Sequence, residues 1–215
     1  MQAELTQLTR ERFASASDPV RYARSQERAI EDISLSMTAA EVPAKFADIL
    51  EYPDDAWQEN VEELNSHLHA KGAAARHFAE FCEKTKGMSL IELQELYAQS
   101  FDLNPNCALE IGYHLFGEDY KRGAFLANLR ETQGDLELGQ EQQLPDYLPV
   151  LLRSLVHFED DELRGSLAGH CIVPGIKKII GAFKQENPFV DLLKAVLAGL
   201  EKALGEARDR EAAFD

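Results

Sequence analysis

The chain is poor in cysteine and has no long apolar run, and each shortage excludes a class of protein. Its three cysteines stand far apart among 215 residues and form no C-x-x-C pair, so local spacing supplies neither a disulfide framework nor a zinc knuckle. No stretch reaches the roughly 18 apolar residues that span a bilayer, and the first residues lack the apolar region of a signal peptide. We therefore expect a protein of the reducing cytoplasm that is neither exported by a signal of its own nor inserted in a membrane.

Positively charged residues are scarce as well. Lys and Arg number 22 against 38 Asp and Glu, which gives a formal net charge of −16. A surface of this sign repels nucleic-acid phosphates and anionic lipid head groups. It attracts a cationic ligand or a basic peptide instead.

Strand patterns are missing, and helical spacing covers almost the whole chain. The step from Trp57 to Val61 and Leu64 places these apolar residues on one helical face. Further helix starts are marked by capping boxes and by Asp-Pro or Asn-Pro pairs, at Thr38–Glu41, Ser89–Glu92, Asp18-Pro19, Asn104-Pro105 and Asn187-Pro188. Gly117 and Gly134 are typical helix ends. The sequence predicts an all-α fold, a single globular multi-helix domain with about nine or ten helices.

The distribution of charge and apolar residues divides the chain. Residues 1–40 hold few large apolar groups and five Arg against six acids, which favours a loosely attached helical extension at the N-terminus. Residues 41–206 form the predicted all-helical domain, and residues 207–215 a charged C-terminal tail. Within the domain, Gln133 to Gln143 is rich in Gly and acids and predicts an exposed loop between two helical halves.

Patterns that would carry catalysis are weak. His67 and His69 point to opposite sides of a helix, and the neighbours His170 and Cys171 point apart, so neither pair predicts a metal site or an activated nucleophile. Gly165-x-x-x-Gly169 lacks the Lys and hydroxyl residue of a phosphate-binding loop. We expect no catalytic residue, no bound metal, no cofactor and no enzyme activity.

Two segments combine acids, aromatics and prolines. One runs from Tyr97 through Phe101 and Asp102 to Asn104-Pro105, and the other is Leu144 to Pro149, with Asp146 and Tyr147 at its centre. On one interpretation they are helix caps with aromatics packed on a neighbour. On the other they line an acidic, aromatic groove. The sequence leaves both open.

Four motifs in order over roughly residues 45–200 make the chain resemble a known family. They are Leu50-Glu51-Tyr52-Pro53, Tyr97-x-x-x-Phe101-Asp102, His114-x-x-Gly117-Glu118-x-x-x-Arg122-Gly123 and Leu144-Pro145-Asp146-x-Leu148-Pro149. In these residues the chain resembles the nitrate reductase assembly chaperones of the NarJ type, within the TorD/DmsD group of redox-enzyme maturation proteins.

The resemblance implies an all-α cytoplasmic chaperone without a cofactor of its own. Its expected partner is the apo catalytic subunit of a molybdenum oxidoreductase, with nitrate reductase as the leading client, bound through an N-terminal leader or leader remnant until the molybdenum cofactor is inserted. Together with the acidic groove, it predicts a client-binding set consisting of Tyr97, Phe101, Asp102, His114, Glu118, Arg122, Asp146 and Tyr147.

Other interpretations of these residues stay open at this stage. Arg122 could pair with a neighbouring acid, His114 could be a core histidine, and the aromatics could be pure core. At the level of function, the alternatives are a helical adaptor subunit that stays in a mature respiratory complex and a small α-helical enzyme with an unrecognised site.

Overall fold

The computed structural model describes residues 37–68, 72–139 and 143–211. Helices fill these ranges, and no strand occurs in them. The α-helices are α1 (Met37–Leu50), α2 (Trp57–His67), α3 (Ala73–Thr85), α4 (Leu90–Tyr97), α5 (Ile111–Phe116), α6 (Tyr120–Gln133), α7 (Leu148–His157), α8 (Asp161–Ser166), α9 (Val173–Ala182) and α10 (Pro188–Glu211). The predicted all-α fold is confirmed, and no helix in the described ranges is long and apolar enough to cross a membrane.

Two π-helical segments and one short 3-10 helix complete the order of elements. The π segment Ala98–Asp102 continues α4, and the π segment Leu167–Ile172 joins α8 to α9. The 3-10 helix is Pro105–Cys107. The π segment continues α4 without interruption, so Tyr97 and Phe101 lie on one continuous helical segment.

The predicted helix starts hold where the side chain can reach the backbone. Ser89 Oγ accepts the N–H of Glu92 at 3.3 Å, and the Glu92 carboxylate accepts the N–H of Ser89 at 2.7 Å, which confirms the capping box. Asn187 Oδ1 likewise accepts the N–H of Phe189 at 2.8 Å at the start of α10. The α-helix predicted at Asn104-Pro105 is wrong, since only the 3-10 helix forms there.

Pairing with a distant segment is the reason for that break. The N–H of Ile111 donates to the carbonyl of Asp146 at 2.9 Å, and the N–H of Leu148 donates to the carbonyl of Leu109 at 2.9 Å. These two bonds hold residues 109–111 antiparallel to residues 146–148, around the bridge between Glu110 and Tyr147. Extended backbone is needed for this pairing, so α5 begins only at Ile111.

One part of the core is a cluster of aromatic rings between α1, α3, α4 and α10. Helix α10 packs along α3, and α1 packs along α7. Phe189 on α10 lies 5.7 Å from the ring of Phe81, 5.7 Å from that of Tyr97 and 5.0 Å from that of Phe101. Such edge-on and tilted contacts add to the free energy of burial. The rings tie the π segment Ala98–Asp102 to helices α3 and α10.

The predicted boundaries of extension, domain and tail can be compared with the described residues only in part. Helix α1 already begins at Met37, while residues 1–36, including Asp18-Pro19, lie outside the described residues. Helix α10 continues to Glu211, so residue 206 falls inside a helix, and the division into extension, domain and tail stays a prediction. The loop after α6 is exposed at Gly134, Asp135 and Glu137, but Leu138 within it is fully buried.

A tight contact between α5 and α9 gives a test of this packing. A Cβ on Gly175 would lie 2.8 Å from two carbons of the buried Ile111. We expect Gly175→Ala to lower the free energy of unfolding by about 1–3 kcal/mol through overpacking. Gly181→Ala, in open space on the same helix, should raise it by up to about 1 kcal/mol. Chemical denaturation of both variants measures the difference, and equal effects would contradict the packing.

Candidate functional site

Two buried tyrosine hydroxyls meet at the end of α1. Tyr97 Oη donates to the carbonyl of Leu50 at 3.0 Å and lies 2.8 Å from Tyr147 Oη, which is 3.4 Å from the same carbonyl. Burial raises the pKa of both hydroxyls, so they stay protonated and act as hydrogen-bond donors. Three distant parts of the chain are joined at this point.

An exposed ring covers this pair. Tyr52 follows the last turn of α1 and packs edge-on against Tyr97, with 5.5 Å between ring centroids, while 51% of Tyr52 remains exposed. The turn carrying it is held by Gln94, whose side-chain amide donates to the carbonyl of Pro53 at 2.8 Å. Tyr52 therefore offers an exposed aromatic surface that is held in place by its contact with the buried Tyr97.

Carboxylates surround the same position. Burial is the main cause of the raised pKa of Tyr97, and the negative charges of Asp102, Glu51 and Glu110 raise it further. Glu51 is neutralised by Arg153 at 2.8 Å. Asp102 is exposed and Glu110 half-buried, and neither forms an ion pair within the described ranges. Partial burial also raises the pKa of Asp102.

We call this face the acidic–aromatic surface and define it by its exposed ring, its buried hydroxyl pair and its two uncompensated acids. Its residues are Tyr52, Tyr97, Asp102, Glu110 and Tyr147. An aromatic face beside unpaired carboxylates attracts guanidinium and ammonium groups, through charge-assisted hydrogen bonds and cation–π contact.

Behind this surface, Asp146 is completely buried. Its Oδ2 accepts the N–H of Gly112 at 3.1 Å and two N–H groups of Arg122 at 3.2 Å each. A Cβ on Gly112 would come within 2.6 Å of this oxygen, so only glycine fits here. Burial raises the pKa of Asp146, and the Arg122 guanidinium opposes that rise. The guanidinium also lies 5.8 Å from the centroid of the Tyr113 ring.

His114 is held from two sides. Its Nε2 lies 2.6 Å from the carbonyl of Ala108, which can only accept, so Nε2 carries the proton. Lys178 Nζ donates to the His114 carbonyl at 2.6 Å. Burial is the main cause of a lowered pKa for His114, and the charges of Lys178 and Arg122 lower it further.

The structure separates the predicted client-binding residues into three kinds. Buried are Tyr97, Phe101, Asp146 and Tyr147; half-buried are His114 and Arg122; exposed are Asp102 and Glu118. The sequence predicts that the Asp146 carboxylate offers its charge in an open groove. The structure instead buries this carboxylate completely and pairs it with Arg122. The alternative for Arg122, pairing with a neighbouring acid, is what the structure shows.

Sequence reasoning passed over two residues of this surface. Tyr52 enters the sequence prediction only through the motif Leu50–Pro53. Glu110 lies inside the helix predicted from Asn104-Pro105 to Gly117. The signal for Tyr52 is its place directly before Pro53, a position at which helical backbone is disfavoured. Glu110 gave no local signal, because its exposure depends on the pairing with Tyr147.

One cluster of potential metal ligands also escaped the sequence analysis. Ligand atoms of His77, Glu80 and Asp191 lie within 4.8 Å of one another. Lys84 already places its ammonium 2.8 Å from Asp191 and 2.8 Å from Glu186. These contacts, that with Asp191 first, raise the pKa of Lys84. A fixed positive charge there disfavours a metal ion.

The thiols are likewise poor candidates for chemistry. All three cysteines are free, and burial raises the pKa of each, to about 12 for Cys171. A nucleophilic cysteine needs a lowered pKa.

The chain is similar in sequence to several known proteins. No family model matches the chain. It is 26% identical over 157 residues to the Bacillus subtilis (strain 168) "Probable nitrate reductase molybdenum cofactor assembly chaperone NarJ", covering 71% of this chain and 84% of that protein. The predicted resemblance to NarJ-type chaperones is confirmed.

Two Escherichia coli (strain K12) proteins with the same kind of name match shorter parts. The chaperone NarW, whose name is also marked "Probable", is 26% identical over 69% of this chain and 63% of its own length. NarJ is 29% identical over 53% of this chain and 50% of its own length. The chain thus spans between half and five-sixths of these NarJ-type relatives. All three are named as assembly chaperones, which agrees with the expectation of a protein that is not an enzyme.

The buried carboxylate gives a first test of the site. We expect Asp146→Asn to lower the free energy of unfolding by about 1–3 kcal/mol, because Arg122 loses its counter-charge and an amide N–H₂ enters a buried position. Asp102→Asn, at an exposed carboxylate without an ion pair, should change it by less than about 0.5 kcal/mol. Denaturant titration measures both, and an unchanged Asp146→Asn variant would show that the pair is dispensable.

The lowered pKa of His114 gives a second test. Protonation is less favourable in the folded state than in the unfolded chain, whose histidine pKa is about 6.5. The contribution of His114 to stability is therefore complete above that pH and is lost as the pH falls through the folded pKa. An NMR titration of the imidazole should give a midpoint below about 6.5. A midpoint above it would contradict the buried, neutral assignment.

Proposed function

We propose that this protein is a cytoplasmic assembly chaperone for a molybdenum oxidoreductase, most directly a nitrate reductase. It binds the apo catalytic subunit through its N-terminal leader or leader remnant and keeps it competent for insertion of the molybdenum cofactor. The similarity to three proteins named as nitrate reductase molybdenum cofactor assembly chaperones supports this role. The observation that carries the binding step is the acidic–aromatic surface, where the exposed Tyr52 packs on Tyr97 and where two carboxylates that act on Tyr97, Asp102 and Glu110, have no ion-pair partner among the described residues.

The chemistry of such a surface suits a basic, partly apolar segment. Asp102 and Glu110 can each accept a bidentate pair of hydrogen bonds from a guanidinium. Tyr52 offers a ring face for a second cation or for an apolar side chain. The net charge of −16 draws a basic segment toward the protein before contact.

Within this proposal the predicted site residues take different roles. Asp102 contacts the client directly, and Tyr97 and Tyr147 hold Tyr52 from below. Phe101 positions Asp102 by packing against Phe189 at 5.0 Å.

The remaining members act at a greater distance. Asp146 and Arg122 position Glu110 by anchoring the backbone at Gly112. Contact of the client with His114 and Glu118 stays a prediction.

Binding can be measured by calorimetric titration of a synthetic peptide with the sequence of the N-terminal segment of a nitrate reductase catalytic subunit. We expect affinity to fall as salt rises from 0.05 to about 0.3 M, because exposed charges are screened over about 10 Å at 0.1 M. Asp102→Asn should weaken binding by less than about fivefold, as expected for an exposed pair, and the double variant with Glu110→Gln by about tenfold. Tyr52→Ala should weaken binding without changing the salt dependence.

The control is Glu83→Gln, which removes an exposed carboxylate whose one ion pair within the described ranges is with Lys86. It should leave the affinity unchanged. Equal affinities for all variants would place recognition elsewhere on the chain. In cells, the mature reductase should be free of this protein; its presence in stoichiometric amount would favour the adaptor alternative.

A further inference from the structure

A second surface carries the opposite charge. Between α5 and α9 lies an open cleft of about 590 Å³. Its lining includes Asn106, Tyr113, His114, Lys178, Gly181 and Lys184. This cleft is separate from the acidic–aromatic surface and shares no residue with it.

The charge of the cleft comes from its two lysines. Lys178 and Lys184 are both exposed, and neither forms an ion pair within the part of the chain that the structure describes. No carboxylate of the described residues lines the cleft. On a chain with a net charge of −16, two uncompensated ammonium groups facing one cavity are unusual, since most exposed lysines here have an acidic neighbour within 4 Å.

Neighbouring groups hold Lys178 in position and do not neutralise its positive charge. The bond from Lys178 Nζ to the His114 carbonyl, at 2.6 Å, holds one ammonium at the cleft wall and leaves it two further N–H donors. Arg122 stands behind Tyr113 but is neutralised by Asp146. The negative charge of Glu110 raises the pKa of His114, and the exposed Glu118 follows the lining residue Gly117 in the chain.

The rest of the lining is small or polar. Tyr113 and Asn106 add hydroxyl and amide donors, while Gly181 leaves room instead of an apolar wall. The apolar part of the lining is limited to Ala182 and the Tyr113 ring, which leaves few pockets for the anchoring side chains of a protein segment. A compact, multiply charged oxyanion needs only donors and positive charge, and Lys is a common phosphate ligand.

We propose that this cleft binds a small phosphate-bearing molecule, with the ammonium groups of Lys178 and Lys184 on the phosphate oxygens. The volume lies within the range of small-molecule sites, about 300–1,000 Å³. This site does not rest on the proposed client binding, although His114, a predicted client contact, lines it. A free phosphate and a phosphate carried on a larger molecule share the chemistry, and the test below separates them.

The test uses the full chain without a client. Calorimetric titrations with pyrophosphate, ATP and inorganic phosphate, each at constant ionic strength, should show saturable binding of at least one of them. Tighter binding of ATP than of pyrophosphate would indicate a phosphate carried on a larger molecule. The His114 ring resonances should shift with the same midpoint, because this residue lines the cleft.

Matched variants decide whether the lysines carry the binding. Lys184→Gln, which has no contact to lose within the described residues, should weaken binding by about tenfold, as expected for one charge-assisted contact. Lys178→Gln should weaken it similarly but also loses the bond to His114. Lys202→Gln, at an exposed lysine paired with Glu206 on α10, is the control and should leave binding unchanged.

Three results would overturn the proposal. They are the absence of binding for every phosphate compound, an equal loss in Lys202→Gln and Lys184→Gln, and tighter binding of a Glu-rich peptide than of pyrophosphate. The last result would assign the cleft to an acidic protein segment instead.

Discussion

The buried carboxylate of Asp146 is the constraint on which the site depends. It accepts hydrogen bonds from the start of α5 and from Arg122 on α6, while its own backbone pairs with Ile111. A buried carboxylate is costly unless such partners surround it. Here all three donors bind Oδ2, while the buried Oδ1 has no hydrogen-bond partner among the described residues, and the bonds to Oδ2 hold the segment before α7 in place. The adjacent Tyr147 is thereby placed against Tyr97 and the end of α1.

The net charge of −16 does not show how positive and negative charges are distributed over this fold. Among residues 37–68, 72–139 and 143–211, the acids Asp102 and Glu110 have no ion-pair partner on one face, and Lys178 and Lys184 have none in a cleft next to α5. The Asp146–Arg122 pair lies between them and is neutral overall. A field of this kind can orient ligands of opposite charge at two places on a small domain.

Much of the local structure could be predicted because its causes are local. The capping box at Ser89, the helix start at Asn187 and the helix end at Gly117 each depend on residues within one turn. The family resemblance was also visible, since it is carried by motifs in order along the chain. These features give the all-α class and point to the chaperone group without any knowledge of long-range contacts.

The tertiary structure alone decided which of the motif residues face solvent. Sequence spacing treats Asp102 and Asp146 alike, as acids beside aromatics, yet one is exposed and the other completely buried. The difference arises from pairing between residues 109–111 and 146–148, which are far apart in sequence and carry no local signal of their meeting. The same pairing breaks the helix expected after Pro105 and leaves Glu110 half-buried beside Tyr147. The sequence by itself therefore determined the helices and the chemical character of the site, whereas long-range backbone hydrogen bonds decided which charges remain available for binding, because burial and exposure follow from what each segment packs against.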